Sequence, residues 1–305
     1  MTVVAPLAHR LLRQPTTARF AGPVLVRRRP TPEVVVAQMG KVGSQAVVAS
    51  LARAGVRAAH VHFLDPASLR WADRVYRHNW DARRLPWHVW EGRLAATRLR
   101  AGERLDIVTM AREPVARNLS AFFQVADLQF GLDLADFGRG TDDADLARLR
   151  TAFLERFDEH ERPLRWFDDE LKRATGVDVF RHRFDRTRGY SIISSDRARV
   201  LVLRTDLLGE TFTPAVHEFL GRPDVGLVHR NDSAAKETGE LYEQVQHHLQ
   251  LPDTYLEQMH NSKYARHFWT QEELAEARAA WSPPSRSSAG APPAAGAPAT
   301  AGARS

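Results

Sequence analysis

Two short runs, EVVVAQ at 33–38 and LDIVTM at 105–110, are continuously apolar and rich in β-branched residues. A strand with one face in water alternates apolar and polar residues. A strand apolar throughout must be covered on both faces, as in parallel sheets flanked by helices. AAHVHFL at 58–64 and ARVLVLR at 198–204 read as further strands. Helices are expected over 44–54, 67–80, 88–100, 114–126, 144–173 and 240–249. Strands alternating with helices predict an α/β domain with a mostly parallel sheet. Ligands of such sheets bind beyond the carboxyl ends of the strands, so the residues just after each run are where chemistry is expected.

The rest of the chain frames that domain. Residues 1–32 mix Ala, Pro, Thr and Arg without periodicity and read as a loosely ordered N-terminal arm. From Ser282 to 305 the chain is Pro/Ala/Gly/Ser of low complexity, a disordered tail unable to supply a core. The folded unit is expected over 33–281. No apolar run is long enough for a membrane span, and the basic N-terminus lacks the apolar stretch of a secretory signal. The absence of cysteine excludes disulfides, thiolate metal sites and a cysteine nucleophile. A cytoplasmic protein working without a metal is the expectation. The net charge of +6 suits an anionic ligand and is no evidence for nucleic acid, so no nucleic-acid partner is expected.

Of 43 basic residues only Lys41, Lys172, Lys236 and Lys263 are lysine. Compositional bias accounts for the arginines; a retained lysine points to a need for the compact ammonium. Lys41 lies in the loop Gly40-Lys41-Val42-Gly43-Ser44, between the first strand and a helix with an apolar face of Val47, Val48 and Leu51. Glycines let an anion approach closely, and the free N–H groups of a helix start attract it. Ser44 can add a hydroxyl and Lys41 an ammonium. A Walker A loop ends in Gly-Lys-Ser/Thr, whereas here Lys41 precedes Gly43 and Gly43 is followed directly by Ser44. The same residues also suit an ordinary strand-to-helix turn with a solvated lysine.

LDIVTMAREPVARNLSAFFQ repeats the pattern, with Arg112 just past the strand, Pro114 opening a helix and Ser120 eight residues after Arg112. An arginine fork with a serine hydroxyl makes a second phosphate clamp. Equally, Arg112 can pair with Glu113 while Ser120 packs.

Taken together, GKVGSQ and REPVARNLSAFF resemble the two signatures of sulfotransferases that use 3′-phosphoadenosine 5′-phosphosulfate (PAPS). The resemblance implies a P-loop-like, three-layer α/β/α domain with PAPS as co-substrate. It places Gly40, Lys41, Val42, Gly43, Ser44 and Gln45 at the 5′-phosphosulfate, and Arg112 and Ser120 at the 3′-phosphate. Gln45 stands where many members have threonine. NSKYARHFWTQEEL at 261–274, with patches at QMGKVGSQ, HVHFL and REPVARNLSAFF, resembles a bacterial family named for capsular polysaccharide synthesis. That implies a carbohydrate acceptor.

Sulfuryl transfer needs a base for the acceptor proton and a cation for the leaving phosphate. Lys41 suits the cation. His60 and His62 would share one face of their strand. His62, followed by Phe-Leu-Asp-Pro, stands where many sulfotransferases carry a catalytic histidine, with His60 orienting it or binding substrate. Both also suit a core role. Lys263 can close over the nucleotide, while Tyr264, His267 and Phe268 read as packing. The stretch 70–100, with Trp71, Trp80, Trp87 and Trp90 among arginines, suits either an acceptor groove or helix packing. Two rivals stay open: a magnesium-dependent kinase or NTPase, and a non-catalytic binder of an acidic polymer.

Overall fold

The computed structural model describes residues 20–21, 31–79, 85–132, 142–228, 245 and 248–282. Most of the expected arm, the 283–305 tail, most of the 240–249 helix and Trp80 lie outside them. The elements are β1 Phe20–Ala21, β2 Val34–Ala37, α1 Ser44–Arg53, β3 Ala58–Val61, α2 Pro66–Asn79, β4 Leu85–Pro86, α3 Trp87–Arg100, β5 Leu105–Ala111, α4 Pro114–Phe130 and α5 Asp143–Arg156. After them come α6 Arg162–Trp166, continued by a π turn over Phe167–Lys172 and a last turn at Arg173–Thr175, then β6 Tyr190–Ser194, β7 Ala198–Arg204, α7 Leu208–Leu220, α8 Asp253–His260, α9 Lys263–Phe268 and α10 Gln271–Trp281.

Five strands form one sheet in the order β3-β2-β5-β7-β6, parallel except for β6. Every residue of β2 is buried, as is β5 from Ile107 and β7 from Val200, so both faces are covered. Burying one such valine stabilises by about 1.5–3 kcal/mol, which is why these runs lie in the centre. Helices α1 and α3 pack on β3, and α7 packs on β6 and β7. A second apolar cluster, including Phe122, Phe153, Met259 and Trp281, joins α4, α5, α8 and α10.

The expected strands and the helices at 44–54, 67–80, 88–100 and 114–126 form within a few residues of their predicted bounds. The helix expected over 144–173 instead breaks between Arg156 and Arg162, because Pro163 opens a new helix and cannot continue an old one. Within the arm, Phe20–Ala21 pairs antiparallel with Leu85–Pro86.

This order fixes where a ligand can sit. The chain leaves β2 for β3 on one side and later places β5 on its other side, so the connections diverge above β2 and β5. Such a switch point leaves a crevice at the carboxyl ends of the strands. The loop 38–43 and residues Arg112 and Glu113 stand there.

Candidate anion site and histidine cluster

The loop after β2 is bent by three departures from ordinary backbone within four residues. Gly40, Lys41 and Gly43 have φ of 93°, 61° and 79°. Glycine adopts such angles freely, but Lys41 is the non-glycine among the described residues to do so, at a cost of about 1–2 kcal/mol.

Surrounding side chains show what holds it. The Met39 carbonyl accepts from Arg117 Nη2 and Arg162 Nε, both at 3.1 Å. The Gly40 carbonyl accepts from Arg117 Nε at 3.3 Å, Lys41 from Arg112 Nη1 at 2.8 Å, and Val42 from the Thr205 hydroxyl at 3.0 Å. Four successive carbonyls are thus each held by a side chain. The backbone N–H groups of Lys41, Val42, Gly43 and Ser44 have no acceptor among the described residues. Successive free N–H groups in such a turn form a concavity for an anion, here at the start of α1.

The Lys41 ammonium also has no carboxylate or other acceptor among the described residues. Burial, then Arg112 and Arg117, push its pKa down from the ordinary lysine value. Three cations crowd one point, an arrangement that an anion would relieve.

Arg112 is set by Tyr264, whose buried hydroxyl accepts from the Arg112 N–H at 3.0 Å and donates to its carbonyl at 2.8 Å. Glu113 starts α4, accepting from the N–H groups of Val115 at 2.9 Å and Ala116 at 2.6 Å, and it binds His260 at 2.8 Å. Its carboxylate is therefore committed to the helix start. Ser120 lies on α4, partly exposed, without a hydrogen bond among the described residues. Gln45 is exposed in the first turn of α1.

The histidines stand against this loop. Gln38, 1% exposed, joins the two parts: its Nε2 lies 2.9 Å from both His60 Nε2 and His62 Nδ1, and its Oε1 accepts from the Gly40 N–H. His60 Nε2 is also 3.0 Å from Ser44 Oγ. The rings of His60 and His62 are 5.2 Å apart, on one face as expected, and His88 from α3 adds a third imidazole 4.6 Å from His62. Burial holds His60 and His88 down to about 4. His62 is held well below its ordinary value by burial, then by His88, His60 and Arg162. All three are neutral at pH 7. Among the described residues no group of His, Asp or Glu has the placement of a metal site.

The backbone under His62 is anchored from the far side. Trp166 Nε1 donates to the His62 carbonyl at 3.2 Å, and buried Glu170 accepts from the N–H groups of Leu64 and Asp65 at 2.7 and 3.0 Å. Glu170 lies in the π turn, a deviation that often accompanies functional sites. On the other side Glu91 of α3 accepts from the His60 N–H at 2.8 Å. Helix α3 comes this close only through Gly92, where a Cβ would lie 2.5 Å from the Phe63 carbonyl.

The structure therefore brings Gly40, Lys41, Val42, Gly43, Ser44, Arg112, His60 and His62 together. Lys263 binds Asp168 at 2.5 Å and lies over the Phe180 ring, with no contact to the loop. Gln38, His88, Arg117 and Arg162 are site residues the sequence reading passed over. Gln38 and Arg117 stand inside the quoted motifs, but nothing in the spacing marks Arg117 as buried.

Residues 156–270 match the model of the NKWYS family, described as "Putative capsular polysaccharide synthesis protein". The match includes NSKYARHFWT and supplies Glu159, Arg162, Thr205 and Tyr264 to the site; it does not reach the loop or the histidines. It covers less than half of the chain. No curated protein and no solved structure matches the chain.

Proposed function

We propose that the chain is a sulfotransferase that moves a sulfuryl group from PAPS to a hydroxyl of a carbohydrate belonging to capsular or other surface polysaccharide. One observation carries the reading: four loop carbonyls tied back, leaving four N–H groups and an ammonium without an acid partner. The assignment of the domain to the P-loop-like sulfotransferase type rests on the same loop. The carbohydrate rests on the name of the matched family.

In this reading the acceptor oxygen attacks sulfur in line. A new S–O bond forms as the bond from sulfur to the bridging oxygen of the 5′-phosphate breaks, that oxygen keeping the electron pair. The hydroxyl proton passes to the imidazole of His62 or His60, both rings being neutral. Lys41 and the loop N–H groups hold the charge gained by the departing phosphate. Arg112 and Ser120 serve the 3′-phosphate. A bound anion offsets the cations that disfavour a protonated histidine, so the base strengthens when the donor is in place.

The acceptor side is supported by an aromatic approach to the imidazoles. Trp71 is 48% exposed, its ring is 6.0 Å from Phe63, and Phe63 is 6.4 Å from both His62 and His88. An open indole suits stacking on a sugar ring.

The test is transfer itself. PAPS labelled in its sulfuryl group is incubated with the protein, EDTA and capsular oligosaccharides. Labelled carbohydrate and 3′-phosphoadenosine 5′-phosphate (PAP) should appear in equal amounts, and Lys41→Ala should abolish both. Consumption of ATP with magnesium, and none of PAPS, overturns the reading.

A further inference from the structure

A second basic site lies apart from the loop. A cleft of about 690 Å³ is bounded by Arg183, Asp185, Arg186, Thr187, Arg266 and His267. Its position follows from the antiparallel edge strand. Tyr190 begins β6 opposite Leu203 near the end of β7, and the Arg204 N–H donates to the Gly189 carbonyl at 3.0 Å. The turn at 183–189 therefore lies at the same end of the sheet as the anion loop. Helix α9 supplies the other wall. Tyr264 on α9 faces Arg112, whereas Arg266, two residues later, is turned roughly 200° around the helix.

Several groups in the cleft are already committed. Asp185 accepts from the Arg188 N–H at 2.9 Å. Arg186 donates to the carbonyls of Arg266 and His267, closing the last turn of α9. The guanidinium groups of Arg183 and Arg266 have no acceptor among the described residues, and the Nε2 of His267 is buried without a hydrogen-bond partner. One carboxylate thus stands against three guanidiniums, two of them unpaired.

We propose that this cleft binds the carboxylates of an acidic carbohydrate chain. The planar fork of arginine matches a carboxylate in a bidentate pair. The volume falls in the range of about 300–1,000 Å³ typical of organic ligand pockets, more than a lone inorganic ion fills. Arg183 and Arg266 are exposed, and single exposed ion pairs contribute under about 1 kcal/mol, so useful affinity needs acid groups repeated along one ligand. The inference needs no sulfuryl donor; that the ligand is a carbohydrate rests, as in the proposed function, on the description of the matched family.

The experiment is calorimetric titration of the full chain with hexagalacturonate, beside neutral maltohexaose, inorganic phosphate and PAP. The acidic hexasaccharide should bind, weakening as salt is raised, while maltohexaose and phosphate should not compete with it. Arg183→Ser combined with Arg266→Ser should weaken the hexasaccharide by about tenfold or more and leave PAP affinity and the melting temperature unchanged. Lys41→Ala should do the converse. Undiminished hexasaccharide binding in the double variant overturns the proposal. A parallel loss of PAP binding also overturns it, by assigning the cleft to the nucleotide.

Discussion

Arg117 touches no proposed ligand group, yet the loop geometry depends on it. Its side chain is 2% exposed and its fork holds the carbonyls of Met39 and Gly40 together. Replacement by methionine, Arg117→Met, keeps length and burial but removes every donor. Met39 retains Arg162, so its loss is small. The part-buried Gly40 carbonyl and the buried Oδ1 of Asn118 lose their donor, at about 1–3 kcal/mol for a buried acceptor. The pair with Glu159 adds little, because that carboxylate is 42% exposed and screened by water. Burial lowers the pKa of Arg117, so part of the loss is offset when a desolvated cation is removed. The net expectation is about 2 kcal/mol, or about 4–8 °C in melting temperature for a domain of this size. The freed peptide can rotate, turning an N–H away from the anion, so PAP binding should fall by about tenfold or more. Differential scanning calorimetry and PAP titration read the two effects. Arg117→Lys separates fork from charge: it restores the cation but cannot span both carbonyls. Full recovery of PAP binding in Arg117→Lys, or wild-type behaviour in Arg117→Met, refutes the reasoning.

Three further outcomes follow from the same geometry. At position 41, with φ of 61°, Lys41→Gly should be more stable than Lys41→Ala by about 1 kcal/mol on thermal denaturation, while both lose PAP binding. Tyr264→Phe removes the buried hydroxyl that binds both the N–H and the carbonyl of Arg112, and should cost about 2 kcal/mol by urea denaturation and weaken PAP as well. His60, His62 and His88 are neutral in the fold but titrate near 6.5 when unfolded, so the unfolded chain takes up more protons between about 6.5 and 4. Their contribution is complete above pH 6.5 and is lost as the pH falls, at about 1.4 kcal/mol per unit for each fully shifted imidazole. Melting temperatures from pH 8 to 4 should show that fall, and His60→Asn should make it shallower.

The central strands were legible because β2, β5 and β7 are buried on both faces and so need unbroken apolar runs. Strand β6, Tyr190-Ser191-Ile192-Ile193-Ser194, is an antiparallel edge with a partly exposed pattern, and it gave no comparable run. Helix α7 carries Pro214 inside it, which masks its period. The loop was legible because its glycines, lysine and serine are local in sequence. The histidine pair was legible as alternate residues of one strand. Arg162 and His88 reach the site from elements far along the chain, and spacing cannot report such meetings. Arg117 was hidden differently: a helical arginine among 39 reads as solvated until the packing shows it buried. Lys263 illustrates the converse, since rarity marked it out while Asp168 holds it on the surface away from the loop.

The central claim is that the loop grips a phosphorylated 5′ end without a Walker arrangement. Its most direct test is calorimetric titration with PAP in EDTA, alongside ATP and AMP. The account predicts PAP binding in the micromolar range or tighter, about −8 kcal/mol or stronger, with ATP much weaker and with affinity lost in Arg112→Ala. No PAP binding, or ATP binding that requires magnesium, would contradict it.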